Sequence, residues 1–358
     1  MSRYFTVLIF AFVLATLFTA ICIWIFPSLK LPGLVDQPDE RKMHKKPTPR
    51  MAGIAIYAAF VIPMLQIWWF SNEQKGIVYG GLLALIIGAL DDMFRVPAIV
   101  KLITIFGLTV LISRFGVITK FPAPHPALYY WMNLAITMLW ITAITSAINM
   151  LDHIDGLAGG ISCLAALMYL LVSLQIGIYT NENTFFWGLM SASLIGSLLG
   201  FLVFNWHPAK IFMGDSGAFF LGFTLAAVGV QGEWSESPLK AGIVPVAILS
   251  VAIFDMLYVF VSRWLNGTTR TIRKAIVHCD KDHIGHRLCD LGFSVPRSVG
   301  FIYLLAACVA FTALALRHTE PIESVLIFLQ IIMFYIVLVI FMKKAAANRK
   351  ATPVNTAE

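Results

Sequence analysis

Charge is what this chain has least of. Only 13% of its 358 residues are Asp, Glu, Lys or Arg, about half the share of a soluble domain. Just nineteen are acidic, while 59% are hydrophobic and the mean hydropathy is +0.82. That balance excludes a water-soluble globular protein. Cysteine is also sparse. Its five copies, at 22, 163, 279, 289 and 308, form no close pair, and three fall in apolar runs. A disulfide scaffold is thereby excluded and buried free thiols are indicated. The sequence holds no internal repeat, no low-complexity tract and no polar stretch long enough to be a soluble domain. The first apolar run is too long for a signal-peptide core, and no small-residue cleavage site follows Trp24–Pro27. It reads as an anchor.

What the chain does have is apolar runs near the roughly 20 residues that span a bilayer. They fall at 4–26, 51–70, 76–90, 99–118, 129–149, 157–177, 184–204, 212–230, 241–262, 298–316 and 321–342. The third is short and the fourth carries Lys101 and Arg114. The expectation is an all-α integral membrane protein, a polytopic bundle of ten or eleven transmembrane helices. Residues 1–342 would form one membrane domain and 343–358 a basic tail. The segments 27–50, 91–98, 150–156, 205–211, 263–297 and 343–358 hold nineteen of the twenty-six Lys and Arg; the opposite loops hold five. The positive-inside rule then puts the N-terminus outside and the C-terminus in the cytoplasm. The net charge of +7 reads as orientation and contact with anionic lipid. Bases spread over several loops do not make a nucleic-acid footprint.

The few carboxylates are not scattered. Asp91–Asp92, Asp152 with Asp155, and Asp215 each border a span, and counting spans in order puts all three groups on the cytoplasmic side. Acids at a membrane edge mark a functional site by default. Five of them together repel unless a cation joins them, which points to a divalent metal and a highly charged substrate. Asp91 and Asp92 close the third span, where helical geometry turns adjacent side chains about 100° apart; a solvated helix end is the plain alternative. Asn149, Asp152 and Asp155 are spaced to share one helical face ahead of Gly156, Gly159 and Gly160. Asp155 alone would also suit a helix cap. In Phe204-Asn205-Trp-His-Pro208-Ala-Lys210-Ile-Phe212-Met-Gly214-Asp215-Ser216-Gly217, an Asp between glycines suits a metal, and bare backbone N–H groups suit phosphate. Lys210 serves either phosphate or lipid headgroups.

Two basic loops face the same side. Segment 263–297 carries Arg263, Arg270, Arg273 and Lys274 ahead of Asp280-Lys281-Asp282-His283-Ile-Gly285-His286-Arg287. Its spacing of His and Cys fits no common zinc pattern, so His and Arg receiving phosphate oxygens is the better reading. Segment 36–53 is basic and proline-stiffened, with Lys45 and Arg50. Asp255 lies inside the ninth span, where it would pair with a neighbouring base.

Taken together, Asp36–Gly53, Asp91-Asp92 with Lys101, Asn149–Gly160, Asn205–Gly217, Phe254-Asp255 and His283–Leu288 resemble the polyprenyl-phosphate N-acetylhexosamine-1-phosphate transferases. The likeness runs in order from Asp36 to about Gly292, and the Phe212–Gly217 string is its most specific part. Within that family the chain is most similar to the branch that uses UDP-N-acetylglucosamine. Three positions depart from the family's patterns. Gly285 stands where His-x-His-His-Arg has a histidine, Ala52 replaces a glycine, and His153 stands where Asp-Gly-Ile-Asp-Gly has its first glycine.

The resemblance implies transfer of N-acetylhexosamine-1-phosphate, foremost GlcNAc-1-phosphate, from a UDP-sugar to undecaprenyl phosphate, with UMP released. That reaction would open a cell-envelope polysaccharide of O-antigen, common-antigen or teichoic-acid type, on the cytoplasmic face of the inner membrane. It implies Mg²⁺, or Mn²⁺ in its place, on Asp215 with help from Asp92, and a reaction of the lipid phosphate at the catalytic pair Asp91 and Asp92, with Asp91 as base or nucleophile. Asn149, Asp152, Asp155, Asn205, Phe212 and Gly214 would line the uridine and sugar pocket. Lys45, Arg50, Arg95, Lys101, His283, His286 and Arg287 would meet phosphate. The resemblance allows a homodimer. An ion-coupled transporter is the rival class, but it calls for acids at mid-membrane and for repeated halves. An intramembrane aspartyl protease needs two deep Asp, and only Asp255 is deep.

Overall fold

The computed structural model describes residues 2–29, 31–38, 46–66, 71–176, 182–232, 234–235, 237–265, 283–316 and 319–351. Among them are thirteen helices and one two-stranded ribbon. The order is α1 (Ser2–Leu29), β1 (Val35–Asp36), β2 (Thr48–Pro49), α2 (Gly53–Leu65), α3 (Asn72–Phe94), α4 (Ala98–Ser113) and α5 (Pro126–Leu151). Then follow α6 (Leu157–Ile176), α7 (Glu182–Asn205), α8 (Gly214–Gln231), α9 (Pro238–Ile248), α10 (Ser250–Leu265), α11 (Ile284–Asp290), α12 (Val295–Leu316) and α13 (Pro321–Ala351).

Seven helices are long and apolar enough to cross a membrane, namely α1, α3, α5, α6, α7, α12 and α13. The pair α9/α10, bent by 74°, makes eight if it is one span. The chain is thus an all-helical polytopic membrane protein. The difference from ten or eleven apolar runs lies in α2, α4 and α8. With 13 residues, α2 rises only about 20 Å, short of a hydrocarbon core of about 30 Å. The 16-residue α4 falls short in the same way. Asp215 and Gln231 at its two ends dilute the 18-residue α8.

That last helix is the centre of the bundle. Every residue of α8 except Asp215 and Val230 is buried, and it packs on α3, α5, α2, α6 and α9. A helix apolar all round belongs in an interior, and here the interior is protein, not lipid. The helix that delivers the acid pair, α3, is set by its own sequence. Ser71 and Gln74 form a capping box at its start, which satisfies two orphan N–H groups. Its last turn closes on Arg95 in the left-handed region (φ 54°). Close contact between α3 and α8 needs Gly88, because a Cβ there would lie 2.2 Å from the carbonyl oxygen of Asp215.

Candidate active site

One end of the bundle gathers the C-termini of α3, α5 and α7 with the N-terminus of α8. The first expectation holds in outline, because the three acid groups converge there. Asp91 and Asp92 are no solvated helix end. Both residues are buried, at 5% and 8% exposure.

The two halves of the pair do different work. Asp92 Oδ1 accepts the backbone N–H of Asp215 at 2.9 Å and Oδ2 that of Ser216 at 3.0 Å. It therefore caps α8 from another helix, meeting the N-terminal donors that a helix cannot satisfy internally. Arg50 Nη2 lies 2.9 Å from Oδ1, and the Asp92 side chain is 0% exposed. Gly214, at φ +74°, leaves room for this clamp, since a Cβ there would sit 2.7 Å from Asp92 Oδ2. This carboxylate holds Asp215 in place from the wall of the cavity that Asp91 and Asp215 also line.

Asp91 faces the other way. Its Oδ1 accepts the N–H of Val96 at 2.8 Å, and Lys101 Nζ pairs with Oδ2. The same ammonium stands 3.9 Å from Asp215 Oδ2. Asp215 Oδ1 takes Asn149 Nδ2 at 3.1 Å and Arg50 Nη2 at 3.4 Å. At 24% side-chain exposure Asp215 is the open member of the three, against 4% for Asp91. Asp91, Asp92, Asp215, Lys101 and Arg50 line a cavity of about 480 Å³ together with Asp36, Gln37 and Arg95. Asp36 and Gln37 are wall residues that the sequence reading did not single out. The signal for them was their place beside Arg50 in one loop. The ribbon pairs Asp36 with Thr48 and Val35 with Pro49, and Arg50 N–H bonds Leu34 O at 2.8 Å. That folds the loop over α3 and α8.

The donor set suits Mg²⁺. Hard oxygen ligands on Asp215 and Asp91 open on one cavity, and two cationic side chains already offset their repulsion. No cluster of three or more His, Cys, Asp or Glu with metal-ligand geometry occurs among the described residues. Cys22, Cys163, Cys289 and Cys308 are free thiols.

Asn149, Asp152 and Asp155 do not share one helical face. Helix α5 ends at Leu151, Asp152 is its C-cap, and Gly156 at φ 78° breaks the chain before α6. Asn149 reaches Asp215. Burial pushes the Asp152 carboxyl well up, with Arg50 opposing and Asp215 adding to the rise. Asp155 turns aside to accept His207 Nδ1 at 2.8 Å and the N–H of Ala209 at 3.1 Å. Asn205 is likewise a latch, its Oδ1 taking Gly156 N–H at 2.9 Å and its Nδ2 bonding Ile211 O at 2.8 Å. Phe212 joins the ribbon to α2 through backbone bonds to Pro49 O and from Ala52 N–H. These residues build the pocket's backing. Lys45, with residues 266–282 of the second basic loop, lies outside the described residues.

His283 and His286 sit on or beside α11. Asp255 repeats the clamp of Asp92: its Oδ1 takes Ile284 N–H at 2.9 Å and Oδ2 meets His283 Nδ1 at 2.7 Å. The base that Asp255 required is thus His283. Arg287 lies in the last turn of α11. His153 stacks on both histidines, 4.3 Å from His283 and 4.7 Å from His286. Burial and the two neighbouring imidazoles lower its pKa from 6.5 to about 3, against the pull of Asp255. A base held below its unfolded pKa binds fewer protons when folded, so stability rises with pH across that window. The contribution is present above about pH 6.5 and is lost as pH falls towards 3. The melting temperature of the detergent-solubilised protein should fall more steeply below pH 6 than that of His153→Asn. Parallel curves would refute the assignment.

Comparison with known proteins follows the same residues. The profile of glycosyl transferase family 4 matches residues 75–233. A Bacillus subtilis protein named "Probable undecaprenyl-phosphate N-acetylglucosaminyl 1-phosphate transferase" is 34% identical over 87% of this chain and 83% of its own length. A decaprenyl-phosphate N-acetylglucosaminephosphotransferase of Mycolicibacterium smegmatis is 30% identical over 82% of this chain and 78% of its own. The undecaprenyl-phosphate alpha-N-acetylglucosaminyl 1-phosphate transferase of Escherichia coli is 24% identical, covering 86% and 83%.

Proposed function

This chain belongs to glycosyl transferase family 4, as a phosphotransferase enzyme, and from that premise we propose that it moves GlcNAc-1-phosphate from UDP-GlcNAc to undecaprenyl phosphate. UMP is the second product. The observation that carries the reading is the cavity where Asp91 and Asp215 converge with Lys101 between them and Arg50 on its wall. An acid pair interleaved with cations is what two approaching phosphates and a divalent ion require.

Arg50, Arg95 and Lys101 draw the lipid phosphate and the diphosphate into one cavity, where their charge offsets the repulsion between two anions. Asp91 accepts the proton of the lipid phosphate or orients its oxygen, held for this by Val96 N–H and Lys101. That oxygen forms a bond to the phosphorus bearing the sugar while the bond to the UMP oxygen breaks, in a single displacement. Asp215, fixed by the α8 N-terminus and by Asn149, would hold Mg²⁺, with Asp91 opening on the same cavity. The ion supplies charge neutralisation on the transferred phosphoryl group. Asp152 and the imidazoles of His283 and His286 are assigned to the sugar and diphosphate side.

The site end carries the basic segments, so the reading places it on the cytoplasmic face of the inner membrane. The product would start an envelope polysaccharide of O-antigen, common-antigen or teichoic-acid type. The transporter alternative is not retained: the chain is a phosphotransferase, and its acids gather at the bundle end. The test uses membranes, undecaprenyl phosphate, Mg²⁺ and radiolabelled UDP-GlcNAc, with UDP-GalNAc alongside. Chelator-sensitive UMP release and labelled lipid are the expected results. No UMP from either donor would overturn the reading.

A further inference from the structure

Gly285 and His153 meet across the contact between α11 and the turn joining α5 to α6. A Cβ added to Gly285 would lie 2.5 Å from Ile154 Cδ1 and 3.3 Å from His153 Nε2. Gly285 is buried, and the three atoms nearest to such a Cβ belong to Ile154, His153 and Leu157. A side chain at 285 therefore starts out against the Ile154 side chain and beside the His153 ring. An imidazole lost at 285 and one gained at 153 are a single exchange in space.

The His153 ring is held there with purpose-built geometry. Its Nδ1 donates to the carbonyl of Met150 at 2.8 Å, because a carbonyl can only accept. In the neutral ring Nε2 is then an acceptor, and it is buried without a hydrogen-bond partner among the described residues. The ring plane is inclined by 31° to that of His283 and by 35° to that of His286. Three imidazoles thus form one cluster, with His153 in ring contact with each of the other two.

We infer that His153 is a positioning residue for the sugar nucleotide. It supplies from the α5–α6 turn the imidazole that Gly285 omits, and by stacking it sets His283 and His286 against the donor. This role deepens the function proposed above and rests on it. Asp255 fixes His283 from one side and His153 from the other, so loss of either support lets the ring rotate. A neutral ring lends a face and an acceptor but no charge, so its removal should weaken donor binding more than it slows the phosphoryl step.

The test compares the full-length parent with His153→Gly, Gly285→His and the double exchange in detergent. His153→Gly should raise the donor KM by about tenfold with a smaller change in kcat, the size usual for groups that orient a binding residue. Gly285→His alone crowds two imidazoles into one space and should lower both turnover and melting temperature. The double exchange should return the donor KM to within about threefold of the parent and melt higher than the two single shifts would add to, since groups in contact are not additive. A double variant no better than Gly285→His alone, or an unchanged donor KM in His153→Gly, overturns the inference. The melting cycle needs no substrate. Coupled melting in a parent that releases no UMP would sink the proposed reaction but leave the exchange standing, whereas turnover with additive melting would sink the exchange.

Discussion

Asp215→Asn should remain in the membrane at parental levels and lose at least about 10³-fold in UMP release, the scale of removing a charge-stabilising group from a preorganised site. Asn has the same shape and keeps an acceptor oxygen for Asn149 and Arg50, so packing at the head of α8 survives. What disappears is the negative charge on the most exposed of the three acids, 24% against 4% for Asp91 and 0% for Asp92. Lys101 then pairs with Asp91 alone, and the charged groups lining the cavity change from net anionic to balanced. Phosphates should still enter it, so donor binding should fall less than turnover. Near-normal turnover in this variant would remove Asp215 from the metal assignment.

Asp92→Ala should fail differently, by unfolding. It strips the acceptor from the Asp215 and Ser216 N–H groups and leaves the Arg50 guanidinium without its nearest partner. Breaking a buried pair while orphaning such groups costs about 3–5 kcal/mol. The protein should accumulate poorly and melt early. Asp92→Asn, which retains one acceptor oxygen, should lose clearly less. Quantitative immunoblots of membranes and melting in detergent separate the two. Full accumulation of Asp92→Ala with turnover abolished would return Asp92 to the reacting groups.

Much of this molecule was readable before any fold. The scarcity of charge gave the membrane class, and ordering the spans placed the three acid groups on one side, where they do meet. What the sequence could not say was which member of an adjacent pair turns inward. Asp91 and Asp92 are equivalent as letters; only the position of α8 turns Asp92 to its N–H groups and leaves Asp91 to Lys101. The spacing of Asn149, Asp152 and Asp155 suggested one helical face because helix periodicity was assumed to continue. Helix α5 instead ends at Leu151, with Asp152 as its cap, and Asp155 turns to the loop after α7. The pairing of Asp255 with His283 spans 28 residues, beyond any local pattern. The structure has seven long apolar helices, eight with the bent pair, because α2 and α4 are short and α8 is buried among other helices. An apolar run does not reveal whether its solvent will be lipid or other helices.

The burial of α8 has a consequence for how the protein is made. A helix that opens with Gly-Asp-Ser-Gly and touches lipid on almost no side gains little by leaving the translocon alone. Its acceptor on Asp92 and its packing partners α3 and α5 are synthesised earlier, so they can receive it as it emerges. Biogenesis therefore has a fixed order at this point, and a fragment that begins at α8 lacks the surface on which its first helix is meant to insert.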